Sequence, residues 1–531
     1  MGDRKPARVS GVPQTGADQL PWIGDIPSIG ARRHPDRPAL INADRGVTLT
    51  YAEFDRRCDA FVALLKARGI APGDRIAWLG KNSDVFFVAM FGAIRAGVVL
   101  VSINWRLAPP EVGYILKDSG AKLLLRDDEL TAAVNEACKA LPAAPATIAT
   151  DTDGDPACVR ALTAASAPHV DCPHDLEQAA IQLYTSGTTG MPKGVLILHR
   201  GLSLQVQSGQ MLPEFVSWGP DDVSLTAMPN FHIGGIAWAL IGLARLAPVV
   251  VTANLTPQNL IRLIREHGAN HTFMVPTVVR AIVDQLHADP VADFPLKSIH
   301  YGAAPIGESL LEDAMRTLKG VEFGQHFGMT EVTGSCTYLT PSEHDPKRPQ
   351  ILKSVGRPLP GCAIEIRDPE NTRVLACGEH GEIWVKSPMV MRGYWNQPQK
   401  TAEALVDGWY RSGDGGYLDE DGFLYLTDRI KDMIISGGEN VYPNEVEEVL
   451  RHHPAVLDAG VIGLPDPRWG ERVSALVELR PGQSVTEDEL AAFARQNIAA
   501  FKCPKTIHFG PLPRTASGKV QRAQIRKSFN N

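Results

Sequence analysis

The sequence predicts an α/β protein with two domains: a large N-terminal domain built on mostly parallel sheets and a small α+β domain at the C-terminal end. Apolar runs typical of strands alternate with helical patterns, which is the order that builds a parallel sheet covered by helices. The 531 residues exceed what one hydrophobic core usually holds. The sequence also changes character after Asp428, where a charged segment and glycines precede a self-contained pattern of strands and helices.

The first elements follow one another between residues 48 and 104. Apolar residues recur at helical spacing from Tyr51 to Leu65, residues 76–79 form a short apolar run, and a second helical stretch starts at Val85. Runs rich in β-forming residues follow at 122–125, 180–184, 249–252 and 271–275, and residues 259–267 have a helical pattern. This order favours parallel strands joined by helices.

Two segments mark boundaries in the chain. Residues 139–173 are rich in Ala, Pro, Thr and Asp, which predicts an exposed connection or a poorly packed excursion within the large domain. The change after Asp428 predicts domains at residues 1–430 and 431–531.

Composition and charge disfavour several classes of protein. The net charge of −7 argues against a nucleic-acid partner, whose phosphates call for a basic surface. Two apolar stretches, 85–105 and 236–251, contain Arg95 and Arg245 and are expected in the core, so no transmembrane segment is expected. Eight scattered cysteines and an N-terminus without a signal-peptide pattern predict a cytoplasmic protein.

The strongest local signal is the segment 184–194, Tyr-Thr-Ser-Gly-Thr-Thr-Gly-Met-Pro-Lys-Gly, which directly follows an apolar run. Glycines let backbone amides approach an anion closely, hydroxyls donate hydrogen bonds, and the lysine adds a mobile positive charge. The spacing is not that of a Walker A motif, which disfavours ordinary P-loop chemistry. The residues expected to hold a polyphosphate are Thr185, Ser186, Gly187, Thr188, Thr189, Gly190 and Lys193.

This segment resembles the signature loop of the adenylate-forming superfamily, which includes acyl-CoA synthetases, luciferases and the adenylation domains of peptide synthetases. Similar motifs follow in the family's order through residues 228–522, so the resemblance covers most of the chain. The resemblance implies an ATP-dependent acid:coenzyme A ligase. Such an enzyme forms an acyl-adenylate with release of pyrophosphate and then passes the acyl group to the CoA thiol, with Mg²⁺ screening the triphosphate.

The resemblance assigns nucleotide contacts to the segments 301–305 and 325–331. Phe327 would stack on adenine, Thr330 would contact the phosphate, and Glu331 would hold Mg²⁺, because this hard cation prefers oxygen ligands. Thr185 is the second residue expected at the metal. The remaining nucleotide-facing positions are Gly302, Ala303, Ala304, His326 and Gly328.

The later motifs are similar to those that serve the ribose and the two half-reactions. Asp414 and Arg429 would reach the ribose hydroxyls. Lys519 would bridge the attacking carboxylate and the α-phosphate and would neutralise transition-state charge together with Lys193 and Mg²⁺. A mobile C-terminal domain would then rotate about a hinge at Lys431. The CoA arm would pass Ser436, Gly437 and Gly438.

Residues 229–235, Pro-Asn-Phe-His-Ile-Gly-Gly, resemble the motif that borders the acyl pocket. Phe231 and His232 would wall or gate the site, and His232 is also a catalytic candidate. The adenylation domains of peptide synthetases have an aspartate in this motif that pairs with the ammonium of an amino acid, and this chain has no acid there. Plant-type coumarate ligases usually have an aromatic residue at the position of Gly234, so the comparison implies that Gly234 and Gly235 leave a roomier or longer pocket. Fatty, alicyclic or steroid-derived acids are therefore favoured. The pocket candidates are Phe231, His232, Gly234, Trp238, Gly302 and Gly328.

Other interpretations stay open at this point. The chain could be an aryl or coumarate-type acid:CoA ligase, or an adenylating enzyme that loads a separate carrier protein. A catalytically dead homologue is disfavoured because Lys193, Glu331, Asp414 and Lys519 are all present. The sequence does not determine the acid or the oligomeric state, and it leaves a homodimer open.

Overall fold

Four β-sheets organise the chain, and helices pack on their faces. The structure is a computed structural model. It describes residues 8–10, 22–139, 141–169, 175–185, 192–211, 218–219, 221–291, 293–304, 306–429, 432, 434–436, 439–466, 469–498, 500, 502–515 and 518–529.

The strands are numbered in chain order. They are β1 Arg8–Ser10, β2 Pro38–Asn42, β3 Val47–Thr50, β4 Arg75–Leu79, β5 Val99–Ser102, β6 Leu123–Arg126, β7 Ala146–Ala149, β8 Ala179–Thr185, β9 Lys193–Leu198, β10 Ser224–Thr226, β11 Val249–Val251, β12 His271–Met274, β13 Ser298–Gly302, β14 Glu322–Met329, β15 Gly334–Leu339, β16 Arg357–Pro358, β17 Ala363–Arg367, β18 Gly381–Lys386, β19 Gly393–Tyr394, β20 Leu405–Val406, β21 Trp409–Leu418, β22 Leu424–Arg429, β23 Ile434–Ser436, β24 Glu439–Val441, β25 Val456–Asp466, β26 Gly470–Leu479 and β27 Thr506–Phe509.

The helices are numbered in the same way. The α-helices are α1 Ile26–Arg33, α2 Tyr51–Ala67, α3 Asp84–Arg95, α4 Pro109–Ser119, α5 Thr131–Cys138, α6 Val159–Leu162, α7 His199–Met211, α8 Ile233–Ala244, α9 Pro257–Glu266, α10 Pro276–Ala288, α11 Glu308–Thr317, α12 Pro349–Leu352, α13 Pro398–Ala404, α14 Pro443–Arg451, α15 Glu487–Asn497 and α16 Arg522–Ser528. Short 3₁₀ turns occupy Ile23–Asp25, Asp128–Leu130, Thr330–Val332 and Pro341–Glu343.

Two sheets are largely parallel, as the sequence predicts. The nine-stranded sheet has the order β16-β15-β14-β13-β12-β10-β11-β2-β3 and is parallel from β14 to β2. The seven-stranded sheet has the order β19-β9-β8-β5-β4-β6-β7 and is parallel from β8 to β7. Parallel neighbours require crossover connections, and helices such as α3, α10 and α11 supply them.

Two smaller sheets complete the fold. The six-stranded sheet, β1-β17-β18-β21-β20 with β22 beside β21, is antiparallel. The five-stranded sheet, β24-β23-β26-β25 with β27 beside β26, lies toward the C-terminus and packs with α14 and α15 around a separate apolar core. This second arrangement agrees with the predicted α+β character of the C-terminal part.

Helices α2 and α3 show how local sequence sets the fold. The Thr50 hydroxyl accepts the Glu53 N–H, and the Glu53 carboxylate accepts the Thr50 N–H, so α2 starts with a capping box. The Ser83 hydroxyl caps α3 in the same way by accepting the Phe86 N–H. All residues of α3 are buried, which explains why its sequence is apolar on every side.

The two apolar stretches lie in the core, as predicted. Residues 85–105 contribute α3 and β5, and residues 236–251 contribute α8 and β11. Arg95 is tolerated at 3% exposure because Asp55 and Asp59 accept hydrogen bonds from its guanidinium, with Asp59 Oδ1 at 2.8 Å. Among the described helices, none is both long and apolar enough to cross a bilayer.

The expectation of an exposed connection at 139–173 is wrong for part of that segment. Strand β7 adds a parallel edge to β6, and Val159 of α6 is fully buried. Arg160 forms a 2.7 Å ion pair with the buried carboxylate of Asp84. Only Ile148 of β7 faces the core, so the strand carries too little apolar signal to be found from sequence.

Candidate active site

A buried carboxylate, Glu331, lies at the centre of the site. The 3₁₀ turn Thr330–Val332 follows β14 and carries Glu331 to 7% exposure. Its Oε1 accepts a 3.1 Å hydrogen bond from the Tyr394 hydroxyl, and the Thr185 hydroxyl approaches the same oxygen at 3.5 Å. Burial, and then the Glu331 charge, raise the pKa of Tyr394, so its hydroxyl stays protonated and donates.

Lys193 joins this cluster from the next strand. Thr185 ends β8 and Lys193 begins β9, and the two residues are partners in the antiparallel register. The Lys193 ammonium lies 4.0 Å from the centroid of the Tyr394 ring, a cation–π contact. Thr185, Lys193 and Glu331, all chosen from sequence, are therefore brought together. The loop residues Ser186, Gly187, Thr188, Thr189 and Gly190 lie outside the described part of the chain.

The chemistry of this cluster fits Mg²⁺ and a polyphosphate. The Glu331 carboxylate and the Thr185 hydroxyl are hard oxygen donors of the kind that Mg²⁺ prefers. The neighbouring Lys193 ammonium supplies a positive charge for phosphate oxygens.

Asp414 lies on the six-stranded sheet. It lies half-buried on β21, opposite Arg429 of β22 in the antiparallel register. The buried Tyr410, also on β21, has a pKa raised well above its ordinary value by burial and by nearby acidic groups that include Glu331 and Asp414. Asp414 therefore belongs to the same electrostatic neighbourhood as Glu331. The side chain of Arg429 lies outside the described residues.

Gly302 and Gly328, which the sequence predicts to face adenine, are required by the close approach of neighbouring backbone. A Cβ on Gly302 would lie 2.3 Å from the His326 carbonyl oxygen, and a Cβ on Gly328 would lie 1.7 Å from that of Gly334. Ala303 turns the chain out of β13 with φ +64°. Phe327 and Thr330 are half-buried, Ala303 is exposed and Ala304 is half-buried along the same edge.

His232, from the middle of the chain, and Lys519, near its C-terminus, lie close enough to interact electrostatically. His232 is the N-cap residue of α8, and its Nε2 is buried without a hydrogen-bond partner. Burial, then the charges of Lys519 and Arg106, lower the pKa of His232 to about 4, so the imidazole is neutral at pH 7. Lys519 itself is exposed.

A contact next to Lys519 explains this proximity. A Cβ on Gly518 would lie 3.0 Å from the Thr277 hydroxyl on α10, so the C-terminal segment rests against the large sheet's helix layer. The Lys519 N–H donates to the Thr515 hydroxyl at 3.1 Å, which closes a turn around Gly518.

The residues predicted to border the acyl pocket differ in how closely neighbouring atoms pack around them. Phe231 and Trp238 are buried, and the Phe231 and His232 rings are 4.6 Å apart. A Cβ on Gly234 would meet the Phe273 ring edge at 3.3 Å, so Gly234 leaves room beside an aromatic side chain. The prediction that Gly235 widens the pocket is wrong, because its Cβ would lie 2.4 Å from the Pro229 carbonyl oxygen and only glycine fits there.

The predicted CoA and hinge residues are mostly undescribed. Ser436 is buried at the end of β23, and Lys431, Gly437 and Gly438 lie outside the described residues.

Sequence reasoning missed Tyr394, Tyr410 and Arg106. Tyr394 and Tyr410 are buried at 6% and 4% exposure, and a buried tyrosine needs a partner for its hydroxyl. For Tyr394 the available signal was the run Gly393-Tyr-Trp395, which lies between the segment 325–331 and Asp414. Arg106 belongs to no recognised motif. Its charge lowers the pKa of His232 because the two residues are close in the folded chain, and the sequence does not reveal this proximity.

The chain is similar to known enzymes over most of its length. The AMP-binding enzyme model matches residues 29–395, and the AMP-binding enzyme C-terminal domain model matches residues 445–519. The chain is 38% identical over 96% of its length to the fatty acid–[acyl-carrier-protein] ligase ScoC of Streptomyces coeruleorubidus, of which it covers 97%. It is 35% identical over 96% of its length to a feruloyl-CoA synthase of an Amycolatopsis species, of which it covers 99%.

A solved structure gives the same result at the level of the fold. O-succinylbenzoate coenzyme A synthetase from Bacillus subtilis, in complex with ATP and magnesium ion, superposes with a TM-score of 0.82 at 31% identity, covering 94% of this chain and 99% of that one. The chain therefore belongs to the AMP-binding enzyme family, and it is an adenylate-forming acid–thiol ligase.

Proposed function

We propose that this ligase activates a fatty, alicyclic or steroid-derived carboxylic acid, and that Lys193, Glu331, Asp414 and Lys519 carry the adenylation. The supporting observation is the contact set around Glu331, where side chains from separate segments meet at one buried carboxylate. Such a convergence of a carboxylate, a hydroxyl and an ammonium suits a Mg²⁺–triphosphate complex.

The difficulty in adenylation is charge, because an anionic carboxylate must attack an anionic α-phosphate. Lys193 would neutralise phosphate oxygens on one side, and Lys519 would bridge the attacking and accepting groups on the other. Loss of one such contact costs about 3 kcal/mol, or ~100-fold or more in rate. Thr185 and Glu331 would hold Mg²⁺, which supplies additional positive charge.

Neutral His232 suits a position beside the attacking acid. Its unpartnered Nε2 is buried, and an imidazolium there would pair with the substrate carboxylate and lower its nucleophilicity. The neutral ring with Phe231 would instead wall the site. Phe327 would stack on the adenine, Thr330 would contact the phosphate, and Asp414 with Arg429 would hold the ribose.

For thioester formation, Lys519 must leave and a thiol must enter. We place the domain boundary between residues 430 and 431, where the chain passes from the six-stranded sheet to the five-stranded sheet. Contacts across this boundary include the 3.1 Å bond from the Asn444 amide to the Thr427 carbonyl oxygen and the packing of Gly518 on Thr277. Lys431 would be the hinge, and Ser436, Gly437 and Gly438 would line the CoA path.

The pocket motif supports the proposed class of acid substrate. Residues 229–235 have no acidic side chain for an amino-acid ammonium, and Gly234 leaves space beside Phe273. A second candidate function, transfer to a carrier-protein thiol, is favoured by the 38% identical carrier-protein ligase from Streptomyces. An aryl acid is the corresponding alternative from the feruloyl-CoA relative.

One experiment tests the acid and the acceptor together. The purified chain is given ATP, Mg²⁺ and competing straight-chain, alicyclic, steroid-derived and aryl acids, with free CoA or a phosphopantetheinylated carrier protein. Mass analysis should find acyl-CoA from the first three acid classes. Exclusive use of aryl acids would overturn the proposed acid class. Formation of acylated carrier protein without any acyl-CoA would show that the carrier protein, and not CoA, is the acceptor.

A further inference from the structure

Beyond Gly234 and Phe273, the packing between α8 and the nine-stranded sheet contains a group of polar and indole side chains. Here we call this group the distal cluster. Its members are Trp218, Ser224, Trp238, Arg245, His271 and His300.

The distal cluster is continuous with the nucleotide-facing edge. The His326 carbonyl oxygen packs on Gly302, the His326 ring lies 5.8 Å from Phe273, and the Phe273 ring lies 6.2 Å from Trp238. Trp238 in turn lies 6.0 Å from Trp218. This row of rings leads from the His326 edge of the nine-stranded sheet to the distal cluster.

Two indole donors in the distal cluster lack acceptors. Nε1 of Trp238 and Nε1 of Trp218 are both buried without a hydrogen-bond partner, and Trp238 is 3% exposed. The Ser224 hydroxyl is also buried and unpartnered, and it faces α8 at Gly242, one turn beyond Trp238. A buried polar group without a partner costs roughly 1–3 kcal/mol, so three in one place require an explanation.

The histidine that stacks on Trp218 is already engaged at both ring nitrogens. The His271 ring nitrogens bond to Ser298 Oγ at 2.8 Å and to Asp222 Oδ2 at 3.1 Å. His300 Nδ1 bonds to His326 Nε2 at 2.9 Å. A small rotation of the Trp218 indole therefore does not find an acceptor on His271, whose ring stacks on it at 4.4 Å.

The missing group must accept hydrogen bonds. An indole N–H only donates, and the Arg245 guanidinium, 5.5 Å from the centroid of the Trp218 ring, also only donates. Oxygen is the ordinary acceptor in organic acids. A hydrocarbon tail would leave both indole donors buried and unsatisfied.

We propose, on the basis of the function proposed above, that the substrate acid carries a second oxygen, a ketone, hydroxyl or carboxylate, which accepts hydrogen bonds from Trp238 and Trp218 at the end remote from the reacting carboxyl. Trp238 and Trp218 are then specificity-determining residues. The favoured substrates are oxygenated alicyclic or chain acids, and plain fatty acids are the poorer members of the class.

Matched acid pairs test this proposal. Each parent acid, straight-chain or cyclohexyl, is compared with its oxo derivative and with the corresponding dicarboxylic acid, and kcat/KM is measured by acyl-CoA formation. The best oxygenated acid should exceed its parent roughly tenfold or more, the effect of a satisfied buried donor. A dicarboxylate that surpasses the oxo acid would identify the acceptor as a carboxylate, consistent with the nearby Arg245 charge.

Two variants connect the preference to the indoles. Trp238→Phe and Trp218→Phe keep an aromatic ring and remove the N–H, so the ratio of kcat/KM for oxygenated over parent acid should fall about tenfold in at least one of them. Trp384→Phe is the matched control, because Trp384 donates to Glu382 in the six-stranded sheet and its variant should keep the wild-type ratio. Because two tryptophans are replaced in separate variants, one variant still decides the question if the other fails to fold.

Several results would overturn the proposal. Equal use of parent and oxygenated acids by the wild type, or a ratio unchanged in both folded indole variants, would show that ordered water satisfies the donors. If the proposed function itself is wrong, the result is different, because neither the parent acids nor the oxygenated acids would then release pyrophosphate.

Discussion

The Tyr394 hydroxyl donates a 3.1 Å hydrogen bond to Glu331 Oε1, while the face of its ring contacts the Lys193 ammonium at 4.0 Å. One side chain thus orients both the carboxylate and the cation of the candidate nucleotide site. Tyr394 is a positioning residue in this arrangement, since it acts through Glu331 and Lys193.

Tyr394→Phe separates these two effects. The variant keeps the ring beneath Lys193 but releases Glu331, so the Mg²⁺ concentration for half-maximal pyrophosphate release should rise about tenfold or more. Tyr425→Phe is the control, because Tyr425 makes a 3.1 Å bond to Asp419, an acid with no assigned role in the site. An unchanged Mg²⁺ dependence in Tyr394→Phe would show that Glu331 needs no such support.

Lys519→Ala should block the first half-reaction alone. Acid-dependent pyrophosphate release should fall ~100-fold or more, because the transition state loses one positive contact. Thioester formation from a supplied acyl-adenylate and CoA should persist. Lys527→Ala, on the last helix, is a charge-matched control. Equal loss of both half-reactions would contradict the assigned role of Lys519.

The adjacent glycines at the start of α8 should respond differently to alanine. Gly235→Ala forces a Cβ to within 2.4 Å of the Pro229 carbonyl oxygen and should lower the thermal unfolding midpoint whichever acid is present. Gly234→Ala meets only a ring edge at 3.3 Å, so it should keep the fold and shift kcat/KM toward smaller acids. Similar unfolding midpoints for both variants would contradict this assignment.

Much of the fold could be predicted because its signals are local. Strand and helix periods predicted α2, α3, β4, β8 and β12 at nearly the observed positions. Strand β7 was missed because only one of its residues faces the core, and the six-stranded antiparallel sheet carried no comparable signal.

The candidate site was predictable only where a motif carries it. Thr185, Lys193 and Glu331 were found from sequence and lie together, whereas Tyr394 and Arg106 act through contacts between distant segments. The role of Gly235 was misjudged for the same reason, since a carbonyl oxygen of the preceding turn fills the space that the sequence left open.

Buried neutral histidines should make the fold sensitive to acid. Burial lowers the pKa of His344 from 6.5 to about 4, and its ring bonds to the Thr340 carbonyl oxygen at 2.8 Å and to the Tyr301 hydroxyl at 3.0 Å. Burial likewise lowers the pKa of His326 to about 3. The unfolded chain binds these protons below pH 6.5 and the native chain does not, so stability falls as pH drops from 6.5 toward 4.

Urea unfolding of the wild type at pH 7 and pH 5 measures this loss, and His344→Asn tests its origin. One histidine with a native pKa near 4 should contribute about 2 kcal/mol to the difference between the two pH values. His344→Asn keeps an N–H for the Thr340 carbonyl oxygen but no longer titrates, so its stability should change less with pH by about that amount. An equal pH dependence in both proteins would mean that His344 is protonated in the native state and that its burial does not hold the ring neutral.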